Sequence, residues 1–132
     1  MKPAKSEHGI QNEIRNAAVD EALMFRANVG TGWQGVAEKP LPDGSVILRK
    51  PRRFSTGLPT GFSDLFGLVP VTVTPDMVGK TVGVFVAVEV KNATGRARDA
   101  QRDFIDAVRR HGGRAGLARS IAEALEIIRG ER

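Results

Sequence analysis

At 132 residues, with 41% of them hydrophobic, the chain can bury a core as one domain spanning 1–132, and it is no disordered polyelectrolyte. A formal charge of +5 points to a polyanionic partner, while zero cysteines exclude disulfides, thiolate metal sites and cysteine nucleophiles, and two histidines are too few for a His-rich centre. No run nears the roughly 20 apolar residues of a bilayer span. The polar N-terminus, Met1 to His8, reads as lacking a signal peptide, so cytoplasmic residence is expected.

In chain order, Ser6 is placed to cap a first helix whose stripe is Ile10, Ile14, Ala17, Ala18, Ala22 and Phe25. Val29 to Gly44 reads as irregular, crowded with glycine and proline. Gly30 to Gly35 spells G-x-G-x-x-G, but the prolines that follow forbid the helix a dinucleotide fingerprint needs, so no nucleotide cofactor is expected. A flexible loop is expected there, with Trp33 packing on the core or stacking on a base. Ser45 to Arg49 reads as a short strand, and Lys50 to Gly61 as a loop rich in Arg, Gly and Pro.

Asp64 to Val73 predicts a second strand, followed by a turn around Pro75 and Gly79. Thr81 to Lys91 is apolar on both faces and predicts a central, doubly covered strand. Ala97 to His111 predicts a helix with Ala97, Ala100, Phe104, Ala107 and Val108 inward, ended by Gly112 and Gly113. Arg114 to Ala118 predicts a short strand, and Ser120 with Glu123 a capping box opening the last helix. The last strand, helix, strand and helix read as a βαβ crossover plus a packing helix.

Glu89 and Lys91 carry the chemical signal. Alternation puts both on one face of their strand, about 6.6 Å apart along it, at the carboxyl end where open α/β sheets place their sites. Taken alone, the pair is an ordinary ion pair at a strand end. Asp64, at the start of another strand, would lie close to Glu89 if the two strands were antiparallel neighbours. Two carboxylates held together repel unless a cation lies between them, and oxygen donors without His or Cys suit Mg²⁺ or Mn²⁺. Asp64 alone also fits a turn aspartate. Glu7 and Gln101 stand on otherwise apolar helix faces, Glu7 with Gln11 one turn further on; Glu7 also suits the helix dipole, and Gln101 also suits a satisfied core amide.

This ordered set resembles the PD-(D/E)XK nuclease superfamily, and within it the VRR-NUC type, including stand-alone phage and prophage forms related to Holliday-junction resolvases. The resemblance covers nearly the whole chain. Ser6-Glu7 to Gln11 is similar to the opening helix with its acidic residue, and Arg26 to Gly30 to the segment after it. Gly57 to Leu65 is similar to the approach to the motif aspartate, and Val88-Glu89-Val90-Lys91 to the E-x-K motif. Gly95 to Gln101 with Phe104, then Gly112-Gly113, resembles the following helix with its glutamine. One departure stands out: Ser63 occupies the place of the proline in the family name.

The resemblance implies a restriction-endonuclease-like α/β core, a small mixed sheet flanked by helices. It implies a Mg²⁺- or Mn²⁺-dependent endonuclease on DNA in a bacterial or phage-infected cell, with branched or junction DNA one candidate substrate beside a flap, a nick and a plain duplex. Asp64, Glu89, the Val90 carbonyl and Glu7 would hold metal, Lys91 and Gln101 would complete the catalytic set, and Lys50, Arg52, Arg53, Arg96 and Arg98 would grip the phosphate backbone. A homodimer would provide the two sites that two-strand cleavage needs. The rival readings are a non-catalytic nucleic-acid-binding module with this fold and a nucleotide-hydrolysing enzyme of another α/β type, which here lacks a P-loop.

Overall fold

The structure is a computed structural model and describes residues 5–132. Its elements are α1 (Glu7–Ala17), β1 (Leu23–Arg26), β2 (Thr31–Ala37), β3 (Leu48–Ser55), β4 (Leu65–Leu68), β5 (Val86–Val90), α2 (Asp99–Arg110), β6 (Arg114–Ala118) and α3 (Ile121–Arg129). A single 3₁₀ turn, Pro75–Met77, separates β4 from β5. The architecture is α/β, helices with small parallel and antiparallel ladders: β1 pairs with β4, β2 with β3 and β5 with β6. None of the helices among the described residues is long and apolar enough to cross a membrane. The chain divides into two compact units, the first joining the N-terminal segment up to Phe25 with Gly67–Arg132, the second Arg26–Phe66.

In the first unit the crossover expected from the sequence is present. Strands β5 and β6 run parallel from Val86 opposite Arg114 to Val90 opposite Ala118, with α2 as the connection. Ile105 and Val108 of α2 bury against Ala115 of β6, with Leu23, Phe85 and Ala87 packed around them. Phe25 adds its ring 5.3 Å from Phe104 and 6.0 Å from Phe85, within the range of favourable aromatic pairs. Ile127 of α3 is 1% exposed. Both outer helices are capped as the sequence indicates: the Ser6 hydroxyl accepts the Gly9 N–H at 3.1 Å, and the Ser120 hydroxyl that of Glu123 at 3.2 Å. Glu123 reaches back one residue further than a capping box requires, to the Arg119 N–H. That hydrogen bond, then Arg132, holds its carboxyl below its ordinary range.

Several expectations are corrected. Helix α1 stops at Ala17, and Phe25 lies on β1, where ladder pairing replaces helical bonds. Strand β4 ends at Leu68, because Pro70 has no N–H to donate to a longer ladder. Strand β5 begins at Val86, where its five-residue partner starts the ladder, and among the described residues it pairs with β6 alone, so it is not the central strand expected. Helix α2 starts at Asp99, with Ile105 and Val108 buried and Ala100 exposed.

In the second unit the expected irregular region and basic loop are instead the two strands of one hairpin. Antiparallel pairing runs from Thr31 opposite Ser55 to Ala37 opposite Leu48, with the register broken between Gln34 and Val36. Lys50 and Pro51 face Gly35 across that break, a β-bulge in which Lys50 takes φ +47°. The bulge accommodates a proline the sequence assigned to a loop. Gly35 is required there, since a Cβ would meet the Arg49 carbonyl oxygen at 2.7 Å.

Candidate active site

Strand β5 presents Glu89 and Lys91 on one face because side chains alternate along it. The Lys91 N–H donates to the Ala118 carbonyl at 3.1 Å, which carries the parallel register one residue past β5 and fixes the backbone under both side chains. Lys91 Nζ lies 3.0 Å from Glu89 Oε1, with the lysine side chain 19% and the glutamate 30% exposed.

Gln101 completes the arrangement from the first turn of α2. Its Oε1 accepts the Arg98 N–H at 2.9 Å, which satisfies a helix-start donor and fixes the orientation of the amide. The amide nitrogen then faces β5 and donates to Glu89 Oε1 at 2.6 Å. Lys91 and Gln101 therefore converge on one carboxylate oxygen, and Glu89 Oε2 has no hydrogen-bond partner among the described residues. Charge-assisted bonds of this kind are about twice as strong as neutral ones.

The loop after Lys91 is stiffened by Asn92, a residue that carries no signal of its own in the sequence. Asn92 Oδ1 accepts the Gly95 N–H at 2.7 Å and the Thr94 N–H at 3.3 Å, while the Asn92 carbonyl accepts Arg119 Nη1 at 2.9 Å. Gly95 lies against the lysine stem: a Cβ there would stand 3.4 Å from Cβ and Cδ of Lys91. The available signal was an Asn followed by Gly three residues on, directly after E-x-K. Arg102, Arg109 and Arg119, also missed, join Arg96 around a cleft of about 420 Å³ in the same unit. Arg102 and Arg109 come from α2, Arg96 from the loop before it and Arg119 from just past β6, so only the fold gathers them.

The remaining candidates are placed as follows. Asp64 belongs to the second unit, exposed at the position before β4, and its carbonyl accepts the Ala27 N–H at 2.9 Å. Strand β4 pairs with β1, so the antiparallel partnership with β5 on which the sequence argument relied is not formed. Glu7 opens α1 and is exposed, while Gln11 on the same stripe has Oε1 buried without a partner among the described residues. Arg96 is exposed in the loop before α2, and Arg98 is the N-cap residue of that helix. Lys50, Arg52 and Arg53 lie on β3, in a strand where a loop was expected.

Among the described residues, no three of His, Cys, Asp and Glu gather closely enough to hold a metal ion. The donor chemistry of the Glu89 face nevertheless suits a hard divalent cation: one carboxylate oxygen is unpartnered, the backbone adds carbonyl oxygens, and no cysteine competes.

Neither the curated proteins nor the solved structures contain a match to the chain. The family model described as the VRR-NUC domain matches residues 39–122, well over half of the chain. That span includes Asp64, Glu89, Lys91 and Gln101, takes in residues of both units and leaves Glu7 outside. The chain therefore belongs to the VRR-NUC domain family, a nuclease type of the PD-(D/E)XK superfamily.

Proposed function

We propose that the chain is a divalent-metal-dependent endonuclease that hydrolyses DNA, with its catalytic centre at Glu89, Lys91 and Gln101. The observation that carries this reading is the convergence of Lys91 and Gln101 on Glu89 Oε1, among residues that the nuclease family model spans. Glu89 through Oε2 and the Val90 carbonyl would hold Mg²⁺ or Mn²⁺ from the crossover unit; Asp64 and Glu7 are the further ligands that the family resemblance implies. Such a cation, when bound, lowers the pKa of a coordinated water and stabilises charge on the scissile phosphate.

The chain's own residues do the rest. Gln101 cannot turn its amide without losing the Arg98 N–H, so it holds the Glu89 carboxylate in one orientation. Glu89 in turn anchors the Lys91 ammonium, which has N–H donors to spare for a phosphate oxygen. A fixed cation aimed at developing charge is the most effective electrostatic help a protein can give phosphoryl chemistry. Lys50, Arg52, Arg53, Arg96 and Arg98 contact the DNA backbone. The two units act as one nuclease domain, which the family match spanning both supports. A homodimer in the cytoplasm would place two sites on a branched duplex; the exposed valines Val69, Val71, Val73 and Val82 supply an apolar surface for it.

The test is nicking of supercoiled plasmid by the purified chain with Mg²⁺ or Mn²⁺, against the same protein in EDTA. Nicking that needs the cation is expected and should vanish in Glu89→Gln. DNA binding with no nicking in either cation would replace the enzyme with a non-catalytic binding module.

A further inference from the structure

The hairpin β2–β3 has a composition unlike that of a structural ribbon. A two-stranded sheet alone is marginal in water, and it ordinarily buries one face. Here Trp33 is 63%, Val36 67% and Phe54 46% exposed, and every residue of β3 after Leu48 is exposed. The register sets one face as Trp33 opposite Arg53, and the other as Gln34 opposite Arg52 with Phe54 opposite Gly32. Between the bulge and Ser55 each face thus carries one aromatic ring and one arginine. No acidic residue lies on either strand. Arg49 pairs with Glu38, just beyond β2, whereas Lys50, Arg52 and Arg53 have no acidic partner among the described residues.

We propose that this hairpin binds single-stranded DNA, stacking unpaired bases on Trp33 and Phe54 while Lys50, Arg52 and Arg53 hold the phosphates. Rings beside cations are the combination that single strands use, since every base has a flat face and every linkage a charge. A duplex would engage the cations but leave both rings in water. A second copy would bring three uncompensated positive charges against their own symmetry mates. The inference takes DNA as the polyanion from the proposed nuclease function, but its measurement involves no cleavage.

The experiment measures binding of a labelled oligo-dT of about 15 nucleotides and of a blunt duplex by the full chain in EDTA, as a function of salt. Trp33→Ala should weaken binding to the single strand about tenfold and to the duplex by less than about twofold. Trp33→Leu should lose as much as alanine, and Trp33→Phe should stay within about threefold of the native chain, which separates stacking from packing should the alanine variant unfold. The triple variant Lys50→Gln, Arg52→Gln, Arg53→Gln should lower the salt slope for the single strand by about two, at roughly 0.7 per phosphate contact.

Equal losses on both DNAs in Trp33→Ala would mean a ribbon lying in a duplex groove and overturn the proposal. So would unchanged single-strand binding in the triple variant, or a change of oligomeric state in Trp33→Leu. A native chain that binds oligo-dT through Trp33 yet nicks no plasmid fails the nuclease reading alone, and one that nicks plasmid while Trp33→Ala binds oligo-dT unchanged fails the hairpin proposal alone.

Discussion

The β5–α2–β6 crossover and the β2–β3 hairpin carry the chain's two sets of chemical side chains in opposite ways. In the crossover each polar group is held by another: Gln101 by a backbone N–H, Glu89 by Gln101, Lys91 by Glu89 and by a loop folded on Asn92. In the hairpin three cations without acidic partners among the described residues and two exposed aromatic rings stand on a backbone fixed by strand pairing. Reaction at a phosphorus centre depends on atoms held to fractions of an ångström, whereas gripping a flexible polyanion depends on charge and flat surface. The contrast between a locked centre and an open ribbon fits a nuclease domain whose chemistry and grip are separate.

Substitutions can break that contrast in order of expected effect. Ile127→Ala, in the packed side of the crossover unit, should cost about 2–5 kcal/mol in chemical denaturation, since its side chain is almost fully buried. A loss under about 1 kcal/mol would mean that α3 is not packed as described. Gln101→Leu should lower kcat for plasmid nicking about 10- to 100-fold while KM changes little, the size typical of losing a group that orients a ligand. A change confined to KM would instead assign Gln101 to DNA contact. Trp33→Ala should alter thermal stability by no more than about 0.5 kcal/mol, because an exposed ring is not part of a core. A larger loss would place Trp33 in packing and erase the difference between the regions.

The two regions also differed in how well the sequence disclosed them. The crossover was legible because its signals are local and agree: a valine-rich strand, a helix stopped by Gly112-Gly113, a short apolar strand and a Ser120 cap. Glu89, Lys91 and Gln101 were legible for the same reason, as polar residues breaking apolar patterns. The hairpin was not, because glycine at 30, 32 and 35 and Pro51 are loop signals, and only a bulge at Lys50 reconciles them with pairing. Strand partners were illegible in another way: periodicity says that Leu65 to Leu68 is a strand but not that β1 is its neighbour. Asn92 escaped notice because its role depends on a loop closing over Lys91.

The account rests on Lys91 acting on bound DNA and not merely pairing with Glu89. The most direct measurement is single-turnover cleavage of branched and linear DNAs in Mn²⁺ by the native chain and by Lys91→Ala, with binding measured in parallel in EDTA. The account predicts that the variant binds both DNAs within about twofold of the native chain and loses cleavage of both by about 10²- to 10³-fold, as for removal of a group that stabilises transition-state charge. Cleavage at the native rate by Lys91→Ala would contradict it, and the Glu89–Lys91 pair would then be an ion pair at a strand end and no more.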